Sequence, residues 1–135
     1  MPTMIFVNLP VKDLDRSKEF FGKLGYSFNP QFTDENAGCL VISDTIYAML
    51  LTEPFFKGFT KRQIADTATT VESIVCLSAD SRQDVDRLVD TALASGGSPA
   101  NDTMEQGPMY GRSFLDPDGH HWEVMFMDPA AVNAC

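Results

Sequence analysis

His121, Glu123 and Met125 alternate along residues 121–127. If that segment is a strand, the three project from one face while Trp122, Val124 and Phe126 project from the other. An imidazole and a carboxylate on one face are the groups needed to move a proton or to hold a metal ion. Walled in by apolar side chains and unpaired, Glu123 would hold its proton more tightly and suit proton transfer. Paired with Arg112 on a neighbouring strand, it would be a structural acid. Both readings stand at this point. His120, beside the turn residue Gly119, reads as a solvated loop residue, and Trp122 as core. The cysteines, Cys39, Cys76 and Cys135, have no CxxC spacing, and two of them sit in apolar runs. They read as buried free thiols in a reducing compartment rather than as a zinc site.

Local pattern supplies the elements that would position these groups. In residues 4–11, Ile5, Val7, Leu9 and Val11 alternate with Phe6, Asn8 and Pro10, a period of two that predicts a strand with one buried face. Asp13 offers an N-cap, and Leu14, Ser17, Phe21 and Leu24 make a helical stripe that Gly25 ends. Extended segments are predicted at 26–32, 38–42 and 45–51, with Ser43-Asp44 turning between the last two. A second round follows. Segment 73–79 is a strand, Ser81-x-x-Asp84 is a capping arrangement, and Val85, Leu88, Val89, Ala92 and Leu93 form a helical stripe ended by Gly96-Gly97. Strands are predicted at 98–104, 110–115 and 121–127, the last pair joined by Asp116-Pro117-Asp118-Gly119.

The chain therefore reads as two tandem βαβββ modules, an α+β fold. Aligning Lys12-Asp13 on Ala79-Asp80 sets the repeat at 67 residues. Module 1 spans about 4–52 and module 2 about 71–128, within a single domain covering 1–135. Residues 53–70 are a linker with one short helical turn. Its apolar residues Phe55, Phe56, Phe59 and Ile64 exceed what a bare spacer needs, so they should pack over a pocket mouth or a partner chain.

Composition narrows the function. The 135 residues are 44% hydrophobic and 21% charged, which is globular rather than disordered. Acidic residues outnumber basic ones 19 to 10, for a net charge of -9. A nucleic-acid grip is excluded, because it needs a basic face, and a cationic small molecule is the partner such a surface would favour. No signal peptide and no apolar run long enough to cross a bilayer is read in the sequence, so a cytoplasmic protein is expected.

The residues Phe6-Val7-Asn8-Leu9-Pro10-Val11-Lys12-Asp13-Leu14, Phe20-Phe21 and Leu24-Gly25-Tyr26 resemble the opening of vicinal oxygen chelate proteins. Gly107-Pro108-Met109-Tyr110-Gly111-Arg112 and Phe114-Leu115-Asp116-Pro117-Asp118-Gly119-His120-His121-Trp122-Glu123-Val124 resemble that superfamily's second-module ending. The resemblance covers about residues 4–128 and takes in glyoxalase, bleomycin resistance and extradiol dioxygenase proteins. It implies curved sheets that enclose a cavity. It also implies a divalent metal whose ligands would fall at Phe6, within Tyr47–Leu51, at Ser73 and at Glu123. Only Glu123 is a strong donor, so no cofactor is expected, with Glu123 the ligand if a metal is bound. The cavity lining implied is Phe6, Asn8, Tyr47 or Ala48, Ser73, Val75, His121, Glu123 and Met125, with Tyr110 and Arg112 at the rim. Three functions stay open: a homodimeric binder of a small molecule, of the bleomycin-resistance type; a metal-dependent lyase or dioxygenase with an atypical ligand set; and a metal-free acid–base enzyme using Glu123 and, more weakly, His121 on a carbonyl compound or thioester.

Overall fold

The computed structural model describes residues 2–129, so Cys135 lies outside the described residues. The chain divides into two compact units, meeting at Ala65 and Asp66. The segment expected as a linker is thus shared between them.

The first unit holds β1 (Ile5–Val11), α1 (Leu14–Lys23), β2 (Ser27–Phe28), β3 (Ala37–Val41), β4 (Ile46–Thr52) and the short α2 (Glu53–Phe56). Its sheet runs β1-β4-β3-β2, with β1 parallel to β4 and the other pairs antiparallel. The Asp13 side chain caps α1 by accepting from the Arg16 N–H at 3.1 Å. Gly25, at a φ of 99°, turns the chain out of the helix where a side chain would be strained. Leu14, Ser17, Phe20 and Phe21 are buried on α1, and Leu9, Val11, Leu40, Ala48 and Leu50 are buried on the strands. Packing these apolar side chains out of water stabilises the unit.

The second unit repeats the plan with β5 (Ile74–Ser78), α3 (Arg82–Ala94), β6 (Ser98–Pro99), β7 (Met104–Gln106), β8 (Met109–Leu115) and β9 (His121–Met127). β5 runs parallel to β9, β9 pairs β8, and β6 and β7 both pair β8. Ser81 caps α3 by accepting from the Asp84 N–H at 3.0 Å. The core gathers Val85, Val89 and Ala92 of α3 with Phe114, Trp122 and Val124 of the sheet.

Local chemistry explains three departures from the sequence reading. The strand expected at 26–32 stops after Phe28, because Asn29 accepts from the Gln31 N–H at 3.0 Å and Pro30 starts a 3₁₀ turn over Pro30–Phe32. The strand expected at 98–104 splits into β6 and β7. Pro99 has no N–H, and the Asn101 N–H goes to Ser113 Oγ at 2.8 Å instead of to a backbone carbonyl. The repeat is 68 residues, not 67, because Asp13 and Ser81 are the equivalent caps. That one-residue slip moves side chains to the opposite face of a strand.

Candidate functional site

Each sheet has one face covered by its long helix; the opposite face, termed the open face for its lack of a long helix, still buries Cys39 and Leu51 in the first unit and Ser113 and His121 in the second. In the first unit the register Phe6↔Tyr47 and Asn8↔Met49 puts these four residues on the open face. Phe6 and Tyr47 stack with ring centroids 5.1 Å apart and planes 11° from parallel. Ala48 is wholly buried on the helix side, so Tyr47 is the residue that reaches the open face. Asn8 donates from Nδ2 to the Phe6 carbonyl at 3.0 Å, and Tyr47 donates its hydroxyl to the Asp44 carbonyl at 3.0 Å.

In the second unit three rows of paired residues cross the open face. The first is Met104, Gly111, Met125 and Ser78; the second is Ser113, Glu123 and Cys76; the third is Leu115, His121 and Ile74. Glu123, His121 and Met125 thus share a face. His121 Nε2 lies 3.4 Å from Glu123 Oε2. It is buried and makes no hydrogen bond among the described residues. A pocket of about 100 Å³ opens beside Glu123, walled by Met104, Gly111, Met125 and Ser113 and by the Asn101-Asp102 loop that Ser113 ties down. It carries two carboxylates and two thioethers. A pocket this small takes a head group rather than a whole drug-sized molecule, which needs roughly 300–1,000 Å³.

Several expected positions change. Ser73 precedes β5, and with Val75 it falls out of phase with Glu123; the open face carries Ile74, Cys76 and Ser78 instead. Cys76 is therefore exposed rather than buried, while Cys39 is buried. Although the residue reaches solvent, partial desolvation by the groups around it, and secondarily the Glu123 charge, pushes the Cys76 thiol above its ordinary range. Tyr110 and Arg112 point not to a rim but to α3. The Tyr110 hydroxyl donates to Asp86 Oδ1 at 2.5 Å, and Arg112 Nη1 lies 3.1 Å from Asp86 and 2.9 Å from Asp90. Arg112 pairs with Val124 in register, on the face opposite Glu123, so the Arg112–Glu123 pair does not form. His120 is only 2% exposed, and its Nδ1 lies 2.7 Å from Glu72 Oε1. It is a core histidine, not a solvated one. Beside it Asp116 accepts from Trp122 Nε1 at 2.9 Å and from the His120 and Asp118 N–H groups. Desolvation raises the Asp116 carboxyl above its usual range, against the lowering pull of His120 and of the Trp122 bond.

With the offset corrected, the strand positions where the superfamily's metal would need donors carry Phe6, Ile74 and Glu123, with Met49 the residue in β4 equivalent to Glu123. Two of these side chains have no donor atom and one is a soft thioether, so the set does not fit a hard divalent ion. Among the described residues no cluster of three or more His, Cys, Asp or Glu could hold a metal. Sequence reasoning missed Cys76, Ile74, Gly111, Ser113, Asn101 and Asp102 as residues of this face. The 68-residue spacing of the two N-caps was the signal that could have found the first two; the rest depend on how β7 and its loop fold onto β8.

Residues 3–43 match the family described as bleomycin resistance protein-like N-terminal. A hypothetical protein from S. aureus superposes with a TM-score of 0.78 at 26% identity, over 93% of this chain and 95% of that one. A glyoxalase/bleomycin resistance protein/dioxygenase family enzyme from Burkholderia phytofirmans gives 0.76 at 15% identity, over 93% and 99%. A lactoylglutathione lyase from Agrobacterium tumefaciens gives 0.67 at 18%, over 93% and 95%. No curated protein matches the chain. The chain has the glyoxalase/bleomycin-resistance fold, and its resemblance to the vicinal oxygen chelate superfamily holds in both the N-terminal family match and the fold.

Proposed function

We propose that the protein binds a cationic small molecule at the open face of the second unit's sheet, anchored on the Glu123 carboxylate and without a divalent metal. The observation that carries this reading is the pocket's charge. Glu123 and Asp102 both line it, while the arginine of its lining, Arg112, has its guanidinium held by Asp86 and Asp90. A ligand cation would meet carboxylate and polarizable sulfur there. The net charge of -9 would favour its approach.

The test is a calorimetric titration with a panel of cationic aromatic compounds, run beside elemental analysis of protein incubated with Mn, Fe, Co, Ni and Zn and then desalted. Glu123→Gln should weaken binding by about tenfold or more, which is ~1.4 kcal/mol. About one ion retained per chain, and lost in Glu123→Ala, would overturn the metal-free reading.

A second reading is an acid–base enzyme acting on a small carbonyl compound or thioester. The nearness of His121 Nε2 to Glu123 favours it, because the imidazole could take up or return a proton held by the carboxylate. Under that reading Glu123→Gln abolishes turnover rather than weakening affinity. A metal-dependent lyase or dioxygenase would need donors where Phe6, Met49 and Ile74 stand.

We read the protein as a cytoplasmic homodimer made of two βαβββ modules. Phe6, Phe55 and Phe59 are exposed, an apolar surface that a partner chain would cover. Sedimentation equilibrium should return twice the chain mass; a monomer at micromolar concentration sinks that part of the reading.

A further inference from the structure

Met104, Gly111 and Met125 face one another across β7, β8 and β9. A Cβ added at Gly111 would stand 2.2 Å from Met125 Sδ and 3.5 Å from Met104 Cε. The missing side chain of Gly111 is therefore the seat on which the Met125 thioether lies. Met125 has three rotatable bonds, so its far end can leave that seat at small cost. With β8 beneath it and Met104 at its side, the space beside it is the Glu123 pocket, which both methionines line.

We infer that Met125, seated on Gly111, is the size filter of this pocket, and that the ligand group it selects is a compact alkylated ammonium. This rests on the pocket being the cation site. The seated thioether leaves about 100 Å³, room for a small methylated head group. Removing the thioether enlarges the pocket toward bulkier cations. Filling the seat drives Met125 into the pocket and closes it.

The experiment titrates tetramethyl-, tetraethyl- and tetrapropylammonium into the protein by calorimetry. The wild type should prefer the tetramethyl ion over the tetrapropyl ion by about tenfold or more. Met125→Ala should erase or invert that order. Gly111→Ala should weaken all three ions by about tenfold, and Gly111→Ala/Met125→Ala should regain them, a rescue that a merely structural glycine would not give. An unchanged order in Met125→Ala, or wild-type binding in Gly111→Ala, overturns the filter. If Gly111→Ala does not fold by its melting curve, the Met125→Ala order decides alone. If no ion binds the wild type, or if binding survives Glu123→Gln, the cation site itself is wrong and the filter falls with it.

Discussion

Asp86 shows how a residue's partner decides what it does. Its carboxylate accepts from the Tyr110 hydroxyl and from Arg112, tying α3 to β8. The Tyr110 bond is the main reason its carboxyl is held below the usual range, with Arg112 adding to it. The folded value lies below the unfolded one, so this tie stabilises above the ordinary carboxylate range and is lost as pH falls through the lowered value. In urea melts from pH 7 down to pH 2, Asp86→Asn should be less stable than the wild type at neutral pH, and the gap should close at the acid end. A gap that stays constant across the series would mean the carboxylate charge contributes nothing. Glu123 has no such tie to a helix: its Oε2 lies 3.4 Å from His121 Nε2, which makes no hydrogen bond among the described residues.

At the scale of elements, the turn after α3 fixes where β6 meets β8. An added Cβ on Gly97 would lie 2.8 Å from the Ala92 carbonyl oxygen and 2.9 Å from that of Leu115. Both obstacles are backbone, so the helix end or the strand must shift. Gly97→Ala should therefore cost about 1–3 kcal/mol, read as a lowered urea midpoint at unchanged slope. Gly111→Ala should cost less, because what it meets is the end of a flexible side chain. Equal losses for the two would mean that the Met125 thioether is as fixed as backbone.

For the molecule as a whole, the boundary between the units lies at Ala65 and Asp66, just after the exposed pair Lys61-Arg62. Those basic residues sit outside any helix or strand, on exposed loop backbone of the kind proteases cut. Brief trypsin treatment should cut first at Lys61 or Arg62, giving two fragments that divide the chain nearly in half, as intact-mass measurement would read. First cuts within α1 or α3 would mean that the helices open more readily than this segment. No helix among the described residues is long and apolar enough to cross a membrane.

Most of the local architecture was legible in the residues themselves. Period-two and helical stripes, the caps Asp13 and Ser81, and the Asp116-Pro117-Asp118-Gly119 turn act over a few positions, so they placed the two long helices α1 and α3 and the main strands. The shared face of His121, Glu123 and Met125 follows from alternation alone. Register between strands far apart in sequence is a different matter, because it is settled by how whole elements pack. The β5–β9 pairing puts Cys76 rather than Ser73 beside Glu123, a register that the 68-residue spacing of the caps hints at but does not by itself pair. Only the fold brings Glu72 to His120 across 48 positions and draws Arg112 to Asp86 and Asp90, away from Glu123. Local pattern determines which elements form and which side chains share a face. Tertiary packing decides which face meets which partner, because the interactions that bury a histidine or seat a methionine on a glycine join residues that no periodicity links.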